Sequence, residues 1–206
     1  MHITVFGSTG KTGRLLVSQA LEGGHTVIAA ARSPEKMDTE HPNLSVVRCD
    51  VMAPDSLPAA LSGADAVVIC ISGNSMGDTQ TRSVGTANIV AAMSAAGVER
   101  VLAISTAGVG DSMKQLNLIA KFFVNTVIRK AVADHTRQEE ALRSSGLRWT
   151  VARPGGLTDG PRTDSYKADP DGKISIRSIS RADVADFLLR AAGDESTINK
   201  AYALSN

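Results

Sequence analysis

The sequence predicts an α/β fold, a doubly wound and mostly parallel sheet, and three observations carry that expectation. Apolar β-branched runs alternate with helical patterns along most of the chain, the order of repeated strand–helix–strand units. Several of the runs are apolar throughout, as strands are when helices cover both faces of a sheet. Gly23, Gly63, Gly97 and Gly146 each stop a helical pattern shortly before the next run begins.

Residues 2–6, 25–31, 45–48, 66–71, 100–105 and 148–152 read as strands, and 14–22, 56–61, 79–96 and 135–144 as the helices between them. The stretch 111–133 breaks the rule of short connections, and its apolar residues Leu116, Ile119, Phe122, Phe123, Val127 and Ile128 fit a helical stripe only loosely. Three readings stay open for it: a cover over an active-site cleft, a plain surface helix, or a subunit contact. Residues 154–170 are polar and rich in Gly, Pro and Asp, which reads as a long irregular loop. The run 173–179 (KISIRSI) alternates like a strand, a helix over 181–191 follows Ser180 as its cap with Asp183 to complement it, and a last strand spans 199–204. With neither a repeat nor a second core-sized unit, one domain over residues 1–206 is expected.

Composition narrows the function. Apolar residues at 43% and charged residues at 21%, with ordinary Gly and Pro usage, argue against disorder. A net charge of +1, no basic block and 3% aromatic residues argue against a nucleic-acid partner. Cys49 and Cys70 each end an apolar run without Cys-x-x-Cys spacing, so they read as buried thiols of a reducing compartment. No run approaches the ~18 apolar residues of a membrane span, and the N-terminus has neither a basic leader nor a cleavage site, so the expectation is a cytoplasmic protein with no membrane partner. His2, His25, His41 and His135 share no ligand spacing, and no metal is expected. His135 either reaches the cleft or caps or decorates its helix. No Gly-x-Ser-x-Gly elbow occurs, and the stretch from Ser75 to Asp78 carries no nucleophilic triad pattern.

The most informative motif is Gly7-Ser8-Thr9-Gly10-Lys11-Thr12-Gly13, seated between the first strand and the first helix. In such a turn Gly7 permits the sharp bend, Gly10 lets the backbone approach a pyrophosphate, and Gly13 lets helix and strand pack closely. The first helical N–H groups then face the phosphates. The spacing is that of short-chain dehydrogenase-like enzymes, and the Gly-x-x-x-x-Gly-Lys of a nucleoside triphosphatase is missing. A Rossmann-type dinucleotide-binding fold is therefore expected.

After the second strand an NAD-preferring site carries Asp or Glu, but this chain has Arg32-Ser33-Pro34-Glu35-Lys36. Arg32, Ser33 and Lys36 suit the 2′-phosphate of NADP, unless the two cations are simply solvated. Asp50 and Val51 suit an adenine pocket, although a capping role is as ordinary for Asp50. Ser72, after the fourth strand, joins the cofactor set. At the carboxyl ends of the fifth and sixth strands stand Ser105-Thr106 and Arg153-Pro154-Gly155. Ser105 or Thr106 can orient the nicotinamide or donate to an acceptor, or stabilise a turn. Pro154 and Gly155 can present backbone groups to the carboxamide, and Arg153 serves either the cofactor or a structural ion pair.

Equally telling is what is missing. Short-chain dehydrogenases protonate the developing alkoxide with a tyrosine followed by a lysine four residues on. Here Tyr166 has Pro170 in that place and Tyr202 has Asn206. The acceptor should therefore stabilise its own reduced anion, as flavins and quinones do.

The same residues resemble a known group. Phe6 to Gly13, Arg32, Asp50-Val51 and the helix Thr86 to Met93 are similar to the atypical short-chain dehydrogenase/reductase family of NAD(P)H-binding, or NmrA-like, proteins. Ser144-Ser145-Gly146-Leu147, Arg153-Pro154-Gly155 and Ser180-Arg181-Ala182-Asp183-Val184-Ala185 continue the resemblance and are together specific to this group, and within it the chain resembles the branch of flavin reductase, also called biliverdin-IXβ reductase. The resemblance implies that Gly7, Gly10, Gly13 and Arg32 hold NADP, and that Ser105-Thr106 approach the nicotinamide. Where that reductase has a histidine after the sixth strand, this chain has Gly155-Gly156. The expected function is NADPH-dependent hydride transfer to a small planar acceptor, with FMN or FAD as candidate substrates, in a monomer or weak homodimer. The rival is an NADP-binding redox sensor that does not turn the cofactor over. An isomerase or dehydratase lacks the acid and base groups it needs.

Overall fold

The computed structural model describes residues 1–73 and 78–206. The stretch read as lacking a nucleophilic triad lies, for residues 75–77, outside the described residues. The chain begins β1 (His2–Phe6), α1 (Lys11–Glu22), β2 (Thr26–Ala31), β3 (Leu44–Arg48), β4 (Ala66–Ile69), α2 (Thr81–Ala96) and β5 (Arg100–Ile104). It continues α3 (Leu118–Thr126), α4 (Arg129–Arg143), β6 (Arg148–Pro154), β7 (Leu157–Thr158), β8 (Lys167–Asp169), β9 (Ile179–Ser180), α5 (Arg181–Gly193) and β10 (Lys200–Ser205).

Among the described residues, eight strands form one sheet in the order β3-β2-β1-β4-β5-β6-β10-β8. All neighbours in it are parallel except β8, which runs antiparallel to β10. The chain steps outward from β1 to β3 and then crosses back to β4, so the strand order reverses beside β1. That reversal opens a crevice outside the carboxyl ends of the strands.

Sequence explains the layering. All four residues of β4 (AVVI) are buried because helices cover both sheet faces. On one face α1 and α5 pack together through residues such as Leu16, Val17 and Leu188; on the other, Ile89 and Met93 of α2 meet Leu142 of α4. Edge strand β3 is half-exposed along its length. Ser180 caps α5 by accepting from the Asp183 N–H at 3.0 Å, as its position suggested.

The seven strands expected in or beside the parallel sheet are present within two residues at either end. Elsewhere the structure differs. Residues 56–61 form no α-helix but parts of two 3₁₀ turns, Pro54–Ser56 and Pro58–Ala60, because Pro58 lacks the N–H a helix interior needs. The alternating run 173–179 forms no ladder except at Ile179, which pairs with Leu157. A carboxylate takes the place of a neighbouring strand: Asp169 accepts from the N–H groups of Asp171, Lys173 and Ile174. The irregular loop at 154–170 contains the short strands β7 and β8. The loose stripe of 111–133 also has a cause. It belongs to a 3₁₀ turn (Gly110–Gln115), to α3 and to the start of α4, which begins at Arg129, ahead of the expected residue 135.

Candidate functional site

The turn after β1 is closed by its own backbone. Gly7 has φ +79°, donates its N–H to the Ala30 carbonyl at 3.2 Å, and accepts from Gly10 at 3.0 Å. A Cβ on Gly13 would lie 2.2 Å from the Gly7 oxygen, so only glycine lets α1 come this close. Gly10 ends the turn as the N-cap of α1, with no side-chain cap and no acidic residue in the first helical turn. Free N–H groups and the positive end of the helix are thereby left for an anion. Ser8 is buried, and its hydroxyl donates to Ala30 at 3.1 Å.

A cleft of about 250 Å³ opens at this turn, and Gly7, Thr9, Gly10, Arg32, Ser33, Lys36, Asp50, Val51 and Ser72 all line it. Ser8, Lys11, Thr12 and Gly13 do not: Ser8 and Gly13 build the turn from behind, and Lys11 reaches away to Asp159 at 2.9 Å. Arg32 is exposed over the cleft, and among the described residues its guanidinium makes no hydrogen bond or ion pair. Asp50 accepts from the Met52 N–H at 3.0 Å, which holds the turn after β3. Val51 is a buried wall, and a Cβ on Gly85 would come within 2.7 Å of it.

Met52, Ile71 and Thr81 also line the cleft and were not singled out in the sequence, and Cys49 and Cys70, read there only as buried thiols, line it too. Ile71 carried a usable signal, since it directly precedes Ser72 at a strand's carboxyl end; Thr81 is brought in only by the placement of α2. Burial raises both the Cys49 and the Cys70 thiol above the ordinary range, which makes them poor nucleophiles at neutral pH.

The β5–β6 edge is built differently. The Ser105 N–H donates to Ala152 at 2.7 Å and that of Ala107 to Pro154 at 2.9 Å, so the two strand ends are laced together. Arg153 is buried at the end of β6. Its Nε and Nη2 donate to the two Glu139 oxygens at 2.9 and 2.7 Å, and its Nη1 to Asp111 at 2.6 Å. Of the two roles open to Arg153, the structure realises the ion pair, and the donors that a cofactor would need are engaged. Burial pushes the Glu139 carboxyl up, but the Arg153 guanidinium outweighs it and leaves the group below its usual range.

The Ser105 hydroxyl is buried near Glu139 without meeting hydrogen-bond geometry, and Thr106 beside it is half-buried. Gly155 has a packing reason, since a Cβ there would fall 1.7 Å from the Arg177 carbonyl. His135 neither caps nor decorates its helix. It is 8% exposed with Nδ1 2.8 Å from Gln138 Oε1, and burial, aided by the Arg82 charge, lowers its pKa to about 4.

Tyr166 donates to Asp186 at 2.8 Å and packs edge-on against Phe187, which also contacts Tyr202. Burial and the Asp186 carboxylate raise the Tyr166 pKa. Both tyrosines thus belong to the layer around α5. Among the described residues no cluster of metal-ligating side chains occurs.

A glycine cradle that a Cβ would fill, uncapped helical N–H groups and cations at the cleft mouth fit a dinucleotide phosphate. The model of the NAD(P)H-binding family matches residues 7–195. The chain belongs to that family. An uncharacterized chloroplastic protein of Arabidopsis thaliana is 32% identical over 209 residues, covering 95% of this chain and 73% of its own length. A Bacillus subtilis (strain 168) protein described as the uncharacterized sugar epimerase YhfK is 29% identical over 212 residues, covering 100% of this chain and 94% of its own. The solved structure of ChuY, an anaerobilin reductase from Escherichia coli O157:H7, shares the fold with a TM-score of 0.81 at 23% identity, over 100% of this chain and 97% of that one. Among the described residues no helix is long and apolar enough to cross a membrane.

Proposed function

We propose that this member of the NAD(P)H-binding family is an NADPH-dependent reductase of a planar acceptor, a flavin or a quinone. The observation that carries the reading is the state of the titratable groups at the β5–β6 edge. Glu139, Arg153 and Asp111 are consumed in one ion network, His135 is held neutral, and both tyrosines are engaged around α5. Hydroxyls are what remains there. Such an edge suits an acceptor that stabilises its own reduced form.

In this reading Gly7, Thr9, Gly10 and the first turn of α1 hold the pyrophosphate. Arg32, Ser33 and Lys36 hold the 2′-phosphate, Asp50 and Val51 flank the adenine, and Ser72, Pro154 and Gly155 border the nicotinamide. When bound, NADPH supplies a hydride. Thr106 orients the ring or donates to the acceptor oxygen, and Ser105 supports it from the buried side. ChuY, described as a reductase, supports the reaction class through a shared fold only. The epimerase wording attached to the B. subtilis relative meets no tyrosine–lysine pair in this chain. Two free thiols suit a reducing compartment, and with a chloroplastic relative a plastid is as eligible as cytoplasm.

Anaerobic stopped-flow oxidation of NADPH with FMN, FAD, simple quinones and aliphatic carbonyls tests the proposal. Flavins or quinones should react faster than carbonyls, and Thr106→Val should slow transfer roughly tenfold, about 1.4 kcal/mol. Tight NADPH binding without oxidation by any acceptor would instead support the sensor reading. Efficient reduction of aliphatic carbonyls would mean that a proton donor operates at this edge.

A further inference from the structure

The helix α3 carries its apolar residues on the wrong side for a core. Of its residues only Val124 is buried, whereas Leu118 is 83%, Ile119 82% and Phe122 71% exposed, with Phe123 at 49% and neighbouring Val127 at 62%. These positions recur at spacings that share a helix face, so they form one continuous apolar surface. Every other large exposed apolar side chain among the described residues is exposed by no more than 42%. Isolated apolar side chains on a surface are ordinary, but a contiguous patch marks a contact.

Charge identifies the contact. From residue 112 to residue 133 the sequence holds Lys114, Lys121, Arg129 and Lys130 and no Asp or Glu, although the whole chain is nearly balanced at +1. The two carboxylates that adjoin this stretch are engaged, Asp111 with Arg153 and Asp134 with Arg82, and an apolar helix face in a stretch that otherwise carries only cations is the pattern of a helix lying in the headgroup region of an anionic bilayer. The helix is also presented from a fixed base. Val124 packs on Gly108 and joins Leu116 and Ala107 in a small core, while Asp111 ahead of it is paired with Arg153.

We propose that α3 docks the protein on an anionic lipid surface. Leu118, Ile119, Phe122, Phe123 and Val127 enter the headgroup–acyl boundary, and Lys114, Lys121, Arg129 and Lys130 face the lipid phosphates. A second copy of the chain is a poorer occupant. In a two-fold contact these cations would meet their own counterparts with no acidic residue in the segment to pair with them. Nine residues of helix span about 14 Å, too short to cross a bilayer but long enough to lie on one. The expectation of no membrane partner rested on the lack of a spanning run, and a surface helix needs none. This proposal stands independently of the reductase reading.

Flotation of the full chain with vesicles tests it. The protein should float with phosphatidylglycerol/phosphatidylcholine vesicles, at least tenfold more weakly with pure phosphatidylcholine, and less at high salt. The double variant Phe122→Ser/Phe123→Ser should lose at least tenfold in vesicle binding with thermal unfolding unchanged. A second variant, Arg129→Glu/Lys130→Glu, alters only exposed charge and should lose the preference for anionic vesicles. Failure of the folded protein to bind anionic vesicles at low salt overturns the proposal, as does binding that the folded variants leave unchanged. A concentration-dependent dimer in sedimentation, abolished by the serine variant and accompanied by no vesicle binding, would assign the face to self-association instead.

Discussion

Two arginines stand at the carboxyl ends of parallel strands, and their surroundings are opposite. Arg32, after β2, is exposed above the cleft with no partner for its guanidinium among the described residues. Arg153, at the end of β6, is 5% exposed and bound by both oxygens of Glu139 and one of Asp111. The first half of the sheet edge is organised to leave space, with glycines where side chains would intrude and a cation waiting for an anion. The second half is filled with charges that satisfy one another. A desolvated guanidinium must be fully paired within the protein, whereas one left in water is available to a ligand. Burial, and not residue type, separates a structural arginine from a candidate binding one.

That contrast can be broken from either side. The largest effect is expected at the filled edge. Glu139→Ala leaves Arg153 buried with Asp111 as its remaining partner, which should cost about 3 to 5 kcal/mol of stability in denaturant titration. Nucleotide affinity of the folded fraction should change little. A loss below about 1 kcal/mol would mean that the network is idle.

Next comes a pH effect on the same helix. His135 is neutral in the fold, with a pKa near 4 against about 6.5 when unfolded. Since the folded value is the lower one, its contribution to stability is fully present above pH ~6.5 and is lost as pH falls toward 4. Comparison of the protein with His135→Gln at pH 7 and pH 4 should show the difference between them shrinking by roughly 3 kcal/mol on acidification. A pH-independent difference would argue that the imidazole is solvated.

At the open edge the expected losses are in binding. A Cβ at Gly10 would lie 3.2 Å from the Gly7 oxygen, tight but accommodable, and its φ of −73° suits any residue. Gly10→Val should therefore keep stability within about 1 kcal/mol. By filling the phosphate approach it should also weaken NADPH by a hundredfold or more, about 2.7 kcal/mol. Tight binding by the folded variant in calorimetry would remove the phosphate assignment. The most selective loss belongs to Arg32→Ala, which should weaken NADPH by about 1.5 to 3 kcal/mol while leaving NADH nearly unchanged. Equal losses for both cofactors would sink the selective role.

Much of the cleft was legible in the sequence because it is local. Gly7, Gly10 and Gly13 are constrained by one another, and Arg32, Asp50 and Ser72 each follow a strand whose apolar run announces where it ends. The strands themselves were legible for the same reason, since burial on both faces writes itself into consecutive residues. The alternating run at 173–179 misled because alternation reports which side chains are buried and not what receives the backbone N–H groups, here the Asp169 carboxylate for Lys173 and Ile174, the Gln115 carbonyl for Ile176 and the Ser205 hydroxyl for Arg177.

What the sequence by itself determined, then, is the order of elements, the phosphate turn and the lack of a tyrosine–lysine pair. All three depend on neighbours within a few residues. The tertiary structure decided which arginine is spent, that His135 is buried against Gln138, and that α3 turns its apolar face outward. Glu139 and Arg153 lie on different elements, and the Phe122 side chain has nothing packed over it; such facts follow from which surfaces meet, which residue spacing along the chain does not encode.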